Sequence, residues 1–184
     1  MKKQNDAAQE KQRELTANGY YTAPKPPYGY KIQKITRPNG EEVKKLKVCQ
    51  SEADIVRLIY SLYAKDISIG EISRRLKEAG YPSPGGAENW KDSTLARLLF
   101  DKATRMKMLG CAIFGAREKD KLKDVSNWTI KSDAHEAIIT REMCDAVDGM
   151  RSSPNHGRGG PRNKGKRHKI QVGCDKDDRN RKTN

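Results

Sequence analysis

The chain has 184 residues, with 38 lysines and arginines against 24 aspartates and glutamates, and a formal net charge of +14. This length predicts one compact domain with tails, or at most two small domains. Hydrophobic residues make up only 34% of the chain, and no apolar run is long enough to span a bilayer. We therefore expect a cytoplasmic protein without a secretory leader, whose partner is a polyanion rather than a membrane.

A helix, a proline-rich segment and a β-hairpin are predicted first. Residues 1–18 are rich in Gln, Glu, Lys, Arg and Ala, which favour a solvated helix, and Gly19 suits its C-terminal end. Residues 22–27 hold three prolines, which favour an extended path. Apolar residues then alternate on both sides of a Pro-Asn-Gly turn, so hairpin strands are predicted at 28–35 and 42–48.

Two strong helices are predicted next. Apolar residues recur at helical spacing over 51–65, and Ser51 is the predicted cap of that helix. A second helix is predicted over 68–79, where Ser68 and Glu71 form a capping box. A loop rich in glycine and proline then separates this pair from the rest of the chain.

A third helix is predicted after that loop. It should begin with a cap at Asp92-Ser93 and end near Lys102 or Arg105. Its apolar residues recur on one face, so the helix should pack against the preceding pair.

The last third of the chain predicts a short strand over 109–114 and an amphipathic helix over 134–150. From residue 151 to 184, basic residues lie among glycines and prolines, which predicts a flexible basic tail. The four cysteines form no C-x-x-C pair, and the three histidines are not spaced as ligands beside them. No metal site and no cofactor is therefore predicted.

The three central helices fit a helix-turn-helix, in which the last helix enters the major groove of DNA. Because arginine can pair bidentately with guanine, and serine or threonine can contact a base edge, we predict that Ser93, Thr94 and Arg97 read bases. Charge and helix-face position give the predicted phosphate contacts: Lys25, Lys31, Arg74, Arg75, Lys91, Lys102 and Arg105.

Two other classes of function fit the same features. One is a non-DNA helical adaptor, in which the helices at 51–65 and 134–150 present apolar faces to a protein partner. The other is a basic RNA-binding protein served by the tail. An enzyme is not predicted, because the acidic and basic pairs are typical of solvated helices and no phosphate-binding loop or zincin motif is present.

Four stretches, taken in order, carry a resemblance to a known family. They are PPYGYKI, SEADIVRLIYSLYAKDISIGEISRRLKEAGYPSPGGAENWKDSTLARLL, GCAIFG and HEAIITREMCDAV. Together they resemble the recombinase domain of large serine recombinases, of the resolvase-invertase family, over about residues 15 to 150. Two departures stand out. FDKATRMKMLG replaces the family's Asn-Pro-x-Tyr-x-Gly turn, and the paired cysteines of its zinc ribbon have no counterpart here.

The resemblance implies an α+β, mainly helical fold with a helix-turn-helix-like three-helix core and a small β-hairpin. It implies that 1–18 is the end of a catalytic domain's long helix, that 19–150 is the DNA-binding domain, and that 151–184 is a tail. Double-stranded DNA, as one half of an attachment site, is the implied partner. The family's catalytic serine domain has no match here, so we expect no catalysis by this chain alone. A catalytic domain in another chain, or a homo-oligomer, is the further partner to expect.

Overall fold

The computed structural model describes residues 2–118 and 121–152, and residues 153–184 of the tail predicted over 151–184 lie outside the described residues. Helices and short antiparallel strand pairs alternate along the described part. In chain order they are α1 (Lys2–Ala17), β1 (Tyr30–Thr36), β2 (Glu42–Val48), α2 (Gln50–Ala64), α3 (Ile69–Glu78), α4 (Asp92–Phe100), α5 (Lys102–Met108), β3 (Ala112–Phe114), β4 (Arg117–Glu118), β5 (Lys121–Leu122), β6 (Thr129–Lys131) and α6 (Arg141–Arg151). This confirms the expected mainly helical α+β class.

The predicted hairpin is confirmed. β1 pairs antiparallel with β2, with Tyr30 opposite Val48 and Thr36 opposite Glu42. The turn contains Gly40 with φ of +82°, a conformation that glycine adopts without steric cost. Pro-Asn-Gly therefore sets the register that the alternating side chains require.

The core is built around α2, which packs against α3, α4 and α6. α2 buries seven residues, whereas the other three helices bury two or three each. The core residues of those helices are Ala53, Ile55, Val56, Ile59, Tyr60, Leu62 and Tyr63 on α2, Ile72 and Leu76 on α3, Leu95, Leu98 and Leu99 on α4, and Cys144 and Val147 on α6. The helical spacing read from the sequence thus identifies the inner faces of α2, α3 and α4.

One of the two predicted caps in this region is wrong. α2 begins one residue earlier than expected, and Cys49 rather than Ser51 occupies the N-cap position without a side-chain bond. The first turn is instead tied by Asp54, which accepts a hydrogen bond from Gln50 Nε2 at 2.8 Å. The other cap is confirmed, because Ser68 Oγ accepts from the Glu71 backbone N–H at 3.3 Å.

The third predicted helix is divided into two. α4 ends at Phe100, and the extended backbone of Asp101 separates it from α5. Asp101 Oδ2 accepts hydrogen bonds from the N–H and hydroxyl of Thr104, at 2.9 and 2.7 Å, and so starts a new helix. The prediction of a helix ending near Lys102 or Arg105 is therefore wrong, since both residues belong to α5.

The start of α4 also differs from the prediction. Lys91, not Asp92-Ser93, occupies the N-cap position, and it makes no side-chain cap bond. The residue before it, Trp90, is buried, and its carbonyl accepts a hydrogen bond from Ser73 of α3.

The last helix is shorter than predicted. α6 begins at Arg141, after Thr140, whose Oγ1 accepts from the Met143 N–H at 3.4 Å. The preceding residues are not helical: the N–H of Ile138 donates to Met108 O at 2.8 Å, which ties this segment to the end of α5. Ile138 and Ile139 are therefore buried core residues of a loop segment and not part of a helical face.

α1 packs against the small sheet formed by β3 and β6. The Arg13 guanidinium lies 5.9 Å from the Phe114 ring centroid, and Lys11 Nζ forms an ion pair with Glu41 at 2.8 Å. Thr16 is fully buried. The helix predicted over 1–18 is confirmed, and the described part of it lies on the body of the domain. Among the described residues, no helix is long and apolar enough to cross a membrane.

Candidate nucleic-acid interface

α4 divides its residues between the core and solvent. Leu95, Leu98 and Leu99 are buried, whereas Ser93 and Arg97 are exposed one helical turn apart. Thr94 is half-buried at the edge of this outer face. The three predicted base-reading residues are therefore neighbours on one helix. The Arg97 side chain has no hydrogen-bonded or ionic partner within the described part of the chain.

Trp90 fixes the N-terminal end of α4. Its Nε1–H donates to Tyr81 O at 2.9 Å, and its own carbonyl accepts from Ser73 Oγ at 2.6 Å. Since Ser73 lies on α3, these two bonds tie the long α3–α4 connection to α3 at one end and α4 at the other. At the other end of α4, Tyr60 of α2 donates to Leu98 O at 2.8 Å. The outer face of α4 is thus held by rigid contacts at both ends.

The Tyr28-Gly29-Tyr30 stretch joins the hairpin to this scaffold. The Tyr28 ring meets the Trp90 ring edge-on at a centroid distance of 5.3 Å. Gly29 donates its N–H to Glu52 Oε2 at 2.8 Å. Tyr30 donates its hydroxyl to Glu136 O at 2.9 Å. The two tyrosines thus point to different elements, so the base of the hairpin is fixed relative to α4.

Four predicted phosphate contacts are exposed lysines: Lys25, Lys31, Lys91 and Lys102. None of them forms an ion pair with another described residue. Lys91 directly precedes α4, and Lys102 opens α5. Their charges are therefore available to an external anion.

The two predicted arginines on α3 have acidic partners on their own helix. Arg74 pairs with Glu71 at 2.6 Å and also with Glu78, and Arg75 Nε donates to Glu71 at 2.8 Å. The hydrogen bonds from Arg74, followed by those from Arg75, lower the pKa of Glu71 to about 2. These arginines would have to exchange partners before they could contact a phosphate.

Arg105 is engaged most fully. Its guanidinium forms a bidentate pair with Asp148, with both N···O distances at 2.8 Å. The Arg105 side chain is only 15% exposed. This pair lowers the pKa of Asp148 and joins α5 to α6. Arg105 therefore has a structural role.

Two exposed lysines of the hairpin were not among the phosphate contacts predicted from the sequence. Lys45 and Lys47 lie on β2, on the same face as Lys31 of β1. The signal was present in the alternation of EVKKLKV, which places residues 45 and 47 on the face opposite Leu46. Among the described residues, no group of His, Cys, Asp and Glu is arranged to hold a metal ion.

Comparison with protein families identifies the chain. A family model described as Recombinase matches residues 50–154, which is more than half of its length. This chain belongs to the Recombinase family. The match covers α2 to α6, so the resemblance inferred from the sequence motifs is confirmed for the central part of this recombinase domain.

Two solved structures resemble the recombinase domain. One, described as an LSR–DNA complex, is 22% identical, with 76% of this chain and 35% of that chain covered at a TM-score of 0.49. The other concerns the sequence requirements of the Listeria innocua prophage attP site; it is 21% identical, with 78% of this chain and 50% of that chain covered at a TM-score of 0.50. The second likeness supports the same fold. The chain spans between about a third and a half of the length of those solved chains.

Proposed function

We propose that this recombinase domain is the DNA-binding part of a site-specific serine recombinase and grips one half of an attachment site. The observation that carries the proposal is the outer face of α4, where the Arg97 side chain is exposed and pairs with no other described residue, in a domain of the Recombinase family. The prophage attP site that the other similar solved structure concerns is consistent with it. Under this proposal α4 is the recognition helix of a helix-turn-helix with an unusually long connection.

The contacts then fall into two groups. Ser93, Thr94 and Arg97 meet base edges in the major groove, with Arg97 placed to donate two hydrogen bonds to a guanine. The unpaired lysines at 25, 31, 91 and 102 meet phosphates and set the register of the domain on the duplex. Arg74, Arg75 and Arg105 contribute mainly through their ion pairs with Glu71, Glu78 and Asp148.

The test is a comparison of two arginine variants in the full chain. Selection from a random duplex pool first defines the preferred motif of the wild type. Arg97→Ala should then weaken binding to that motif by about 5- to 150-fold, equivalent to about 1–3 kcal/mol, and relax the preference at one base. Arg141→Ala is the matched control, because Arg141 is also exposed and lies at the start of α6.

Each result has a distinct meaning. An equal loss on motif and scrambled duplexes would make Arg97 a phosphate contact rather than a base reader. Absence of duplex binding by the wild type at low salt would refute the DNA-binding proposal and favour the adaptor class. Preference for single-stranded RNA over duplex DNA would favour the RNA-binding class.

We further propose that this chain does not cleave DNA by itself and acts with a catalytic domain supplied by another polypeptide or within an oligomer. Incubation of the full chain with supercoiled plasmid carrying the selected motif should leave the plasmid intact. The appearance of nicked or linear plasmid, sensitive to a serine substitution in this chain, would refute this part.

A further inference from the structure

The β1–β2 hairpin carries two pairs of directly opposed lysines, one on each face. Lys31 lies opposite Lys47, and Lys34 lies opposite Lys44. Like charges at directly opposed positions repel each other and destabilise a β-ladder. Two such pairs in one hairpin of seven-residue strands therefore need a compensating anion on each side.

The face of Lys34 and Lys44 has its anion within the fold. Lys34 Nζ forms an ion pair with Glu42 Oε1 at 2.8 Å. This hydrogen bond and the charge of Glu42 raise the pKa of Lys34. The repulsion on this face is thus offset by the protein itself.

The other face lacks such an anion. Lys31 and Lys47 form no ion pair with any described residue, and the next cross-strand pair on this face is Gln33 and Lys45, which adds a third lysine. All three lysines are exposed. Lys45 Nζ lies 5.9 Å from the Tyr20 ring centroid, a contact that orients the ammonium without neutralising it. We call Lys31, Lys45 and Lys47 the lysine face.

The lysine face is held close to the start of α4. Lys31 is three residues beyond Tyr28, and Lys91 directly follows Trp90, whose ring meets that of Tyr28 at 5.3 Å. The three residue steps from Tyr28 to Lys31 and the one step from Trp90 to Lys91 together span at most about 14 Å of chain. Even with the lengths of the two aromatic side chains added, the distance between Lys31 and Lys91 stays below about one turn of duplex, 34 Å. A duplex bound to α4 therefore lies within reach of the hairpin.

We propose that the lysine face binds the phosphate backbone of the same duplex whose bases α4 reads, as a second contact that is independent of sequence. This inference rests on the proposed DNA-binding function. Lys45 and Lys47 are two residues apart on one strand, about 6.6 Å, and their side chains lie on one face, so they can contact separate phosphates of one DNA strand. The phosphates supply the anion that the hairpin lacks on this face.

The test uses the two lysine pairs as matched variants of the full chain. Lys31→Gln/Lys47→Gln and Lys34→Gln/Lys44→Gln each remove two charges from directly opposed positions of the same hairpin. Duplex binding is measured by fluorescence anisotropy over a series of KCl concentrations, on the selected motif and on a scrambled duplex. The first variant should reduce the slope of log K against log[KCl] by about 2, because each phosphate contact contributes about 0.9. The second should leave the slope within error of the wild type.

The motif-to-scrambled affinity ratio should stay the same in both variants, since phosphate contacts carry no sequence information. Equal slopes for the two variants, with an intact motif preference, would overturn the lysine-face proposal together with the phosphate contact assigned to Lys31, and would leave base reading by α4 standing. Absence of any duplex binding by the wild type would overturn both. Loss of binding by the first variant to phosphatidylserine-containing vesicles, with DNA binding unchanged, would assign the lysine face to a membrane surface and overturn the proposal.

Discussion

Gly29→Ala is expected to destabilise the domain more than Gly40→Ala, although both glycines have positive φ, +94° and +82°. A Cβ built on Gly29 would overlap Ile138 Cδ1 and lie 3.8 Å from Ala53 Cα, whereas nothing lies within 4 Å of a Cβ on Gly40. The two substitutions therefore share the backbone strain and differ in packing.

The magnitude follows from those two contributions. Placing an L-residue in the left-handed region costs about 1–2 kcal/mol, and Gly40→Ala should show only this. Ile138 is 3% exposed, so its side chain can turn away only by disturbing the core around α2. Overpacking of a core costs about a further 1–3 kcal/mol. Gly29→Ala should therefore lose about 2–5 kcal/mol of unfolding free energy.

Urea unfolding followed by circular dichroism measures both variants against the wild type. The free energies are comparable only if the three proteins share one m value, which shows that the same surface is exposed on unfolding. Equal losses for the two variants would refute the packing argument and leave φ as the only reason for glycine at position 29.

Two further predictions concern Tyr30 and His135. Tyr30→Phe removes the hydroxyl that donates to Glu136 O at 2.9 Å and keeps the ring, so urea unfolding should show a loss of about 1–3 kcal/mol, whereas a loss near zero would mean that this bond does not stabilise the fold. Burial lowers the pKa of His135, whose Nε2 lies 2.8 Å from Lys107 O. The unfolded chain then binds a proton more readily, so stability should be full above about pH 6.5 and fall as the pH drops below it. His135→Gln should flatten that dependence in thermal melts, and an unchanged slope would assign it to other groups.

Local patterns predicted the parts of the fold that depend on local interactions. The Pro-Asn-Gly turn and the alternation on either side of it are enough to define β1 and β2. Helical spacing identifies the buried faces of α2, α3 and α4 because each buries a regular stripe. The cap at Ser68 follows from a bond to a residue only three positions away.

The features that sequence patterns did not predict depend on contacts between residues that are distant in sequence. Ile138 and Ile139 have helical spacing relative to Met143 and Val147, but their backbone is held by Met108, some thirty residues earlier, so the helix starts only at Arg141. The partner of β3 is β6, with Ala112 opposite Lys131. Strands of three residues are too short to leave an alternation in the sequence.

The predicted DNA contacts show a related limit of sequence-based prediction. The sequence shows which residues are charged but not which of them form ion pairs within the fold. Arg74, Arg75 and Arg105 look equivalent to Arg97 by composition, yet each of the three is matched by a carboxylate of the domain. A matched cation displaces few counterions when it meets a phosphate, because its charge is already offset. The net charge therefore overstates the number of groups available to a duplex. The unmatched cations are better candidates, and these include the lysine face and Arg97. Affinity and specificity would then arise from different elements, with the hairpin supplying the first and α4 the second.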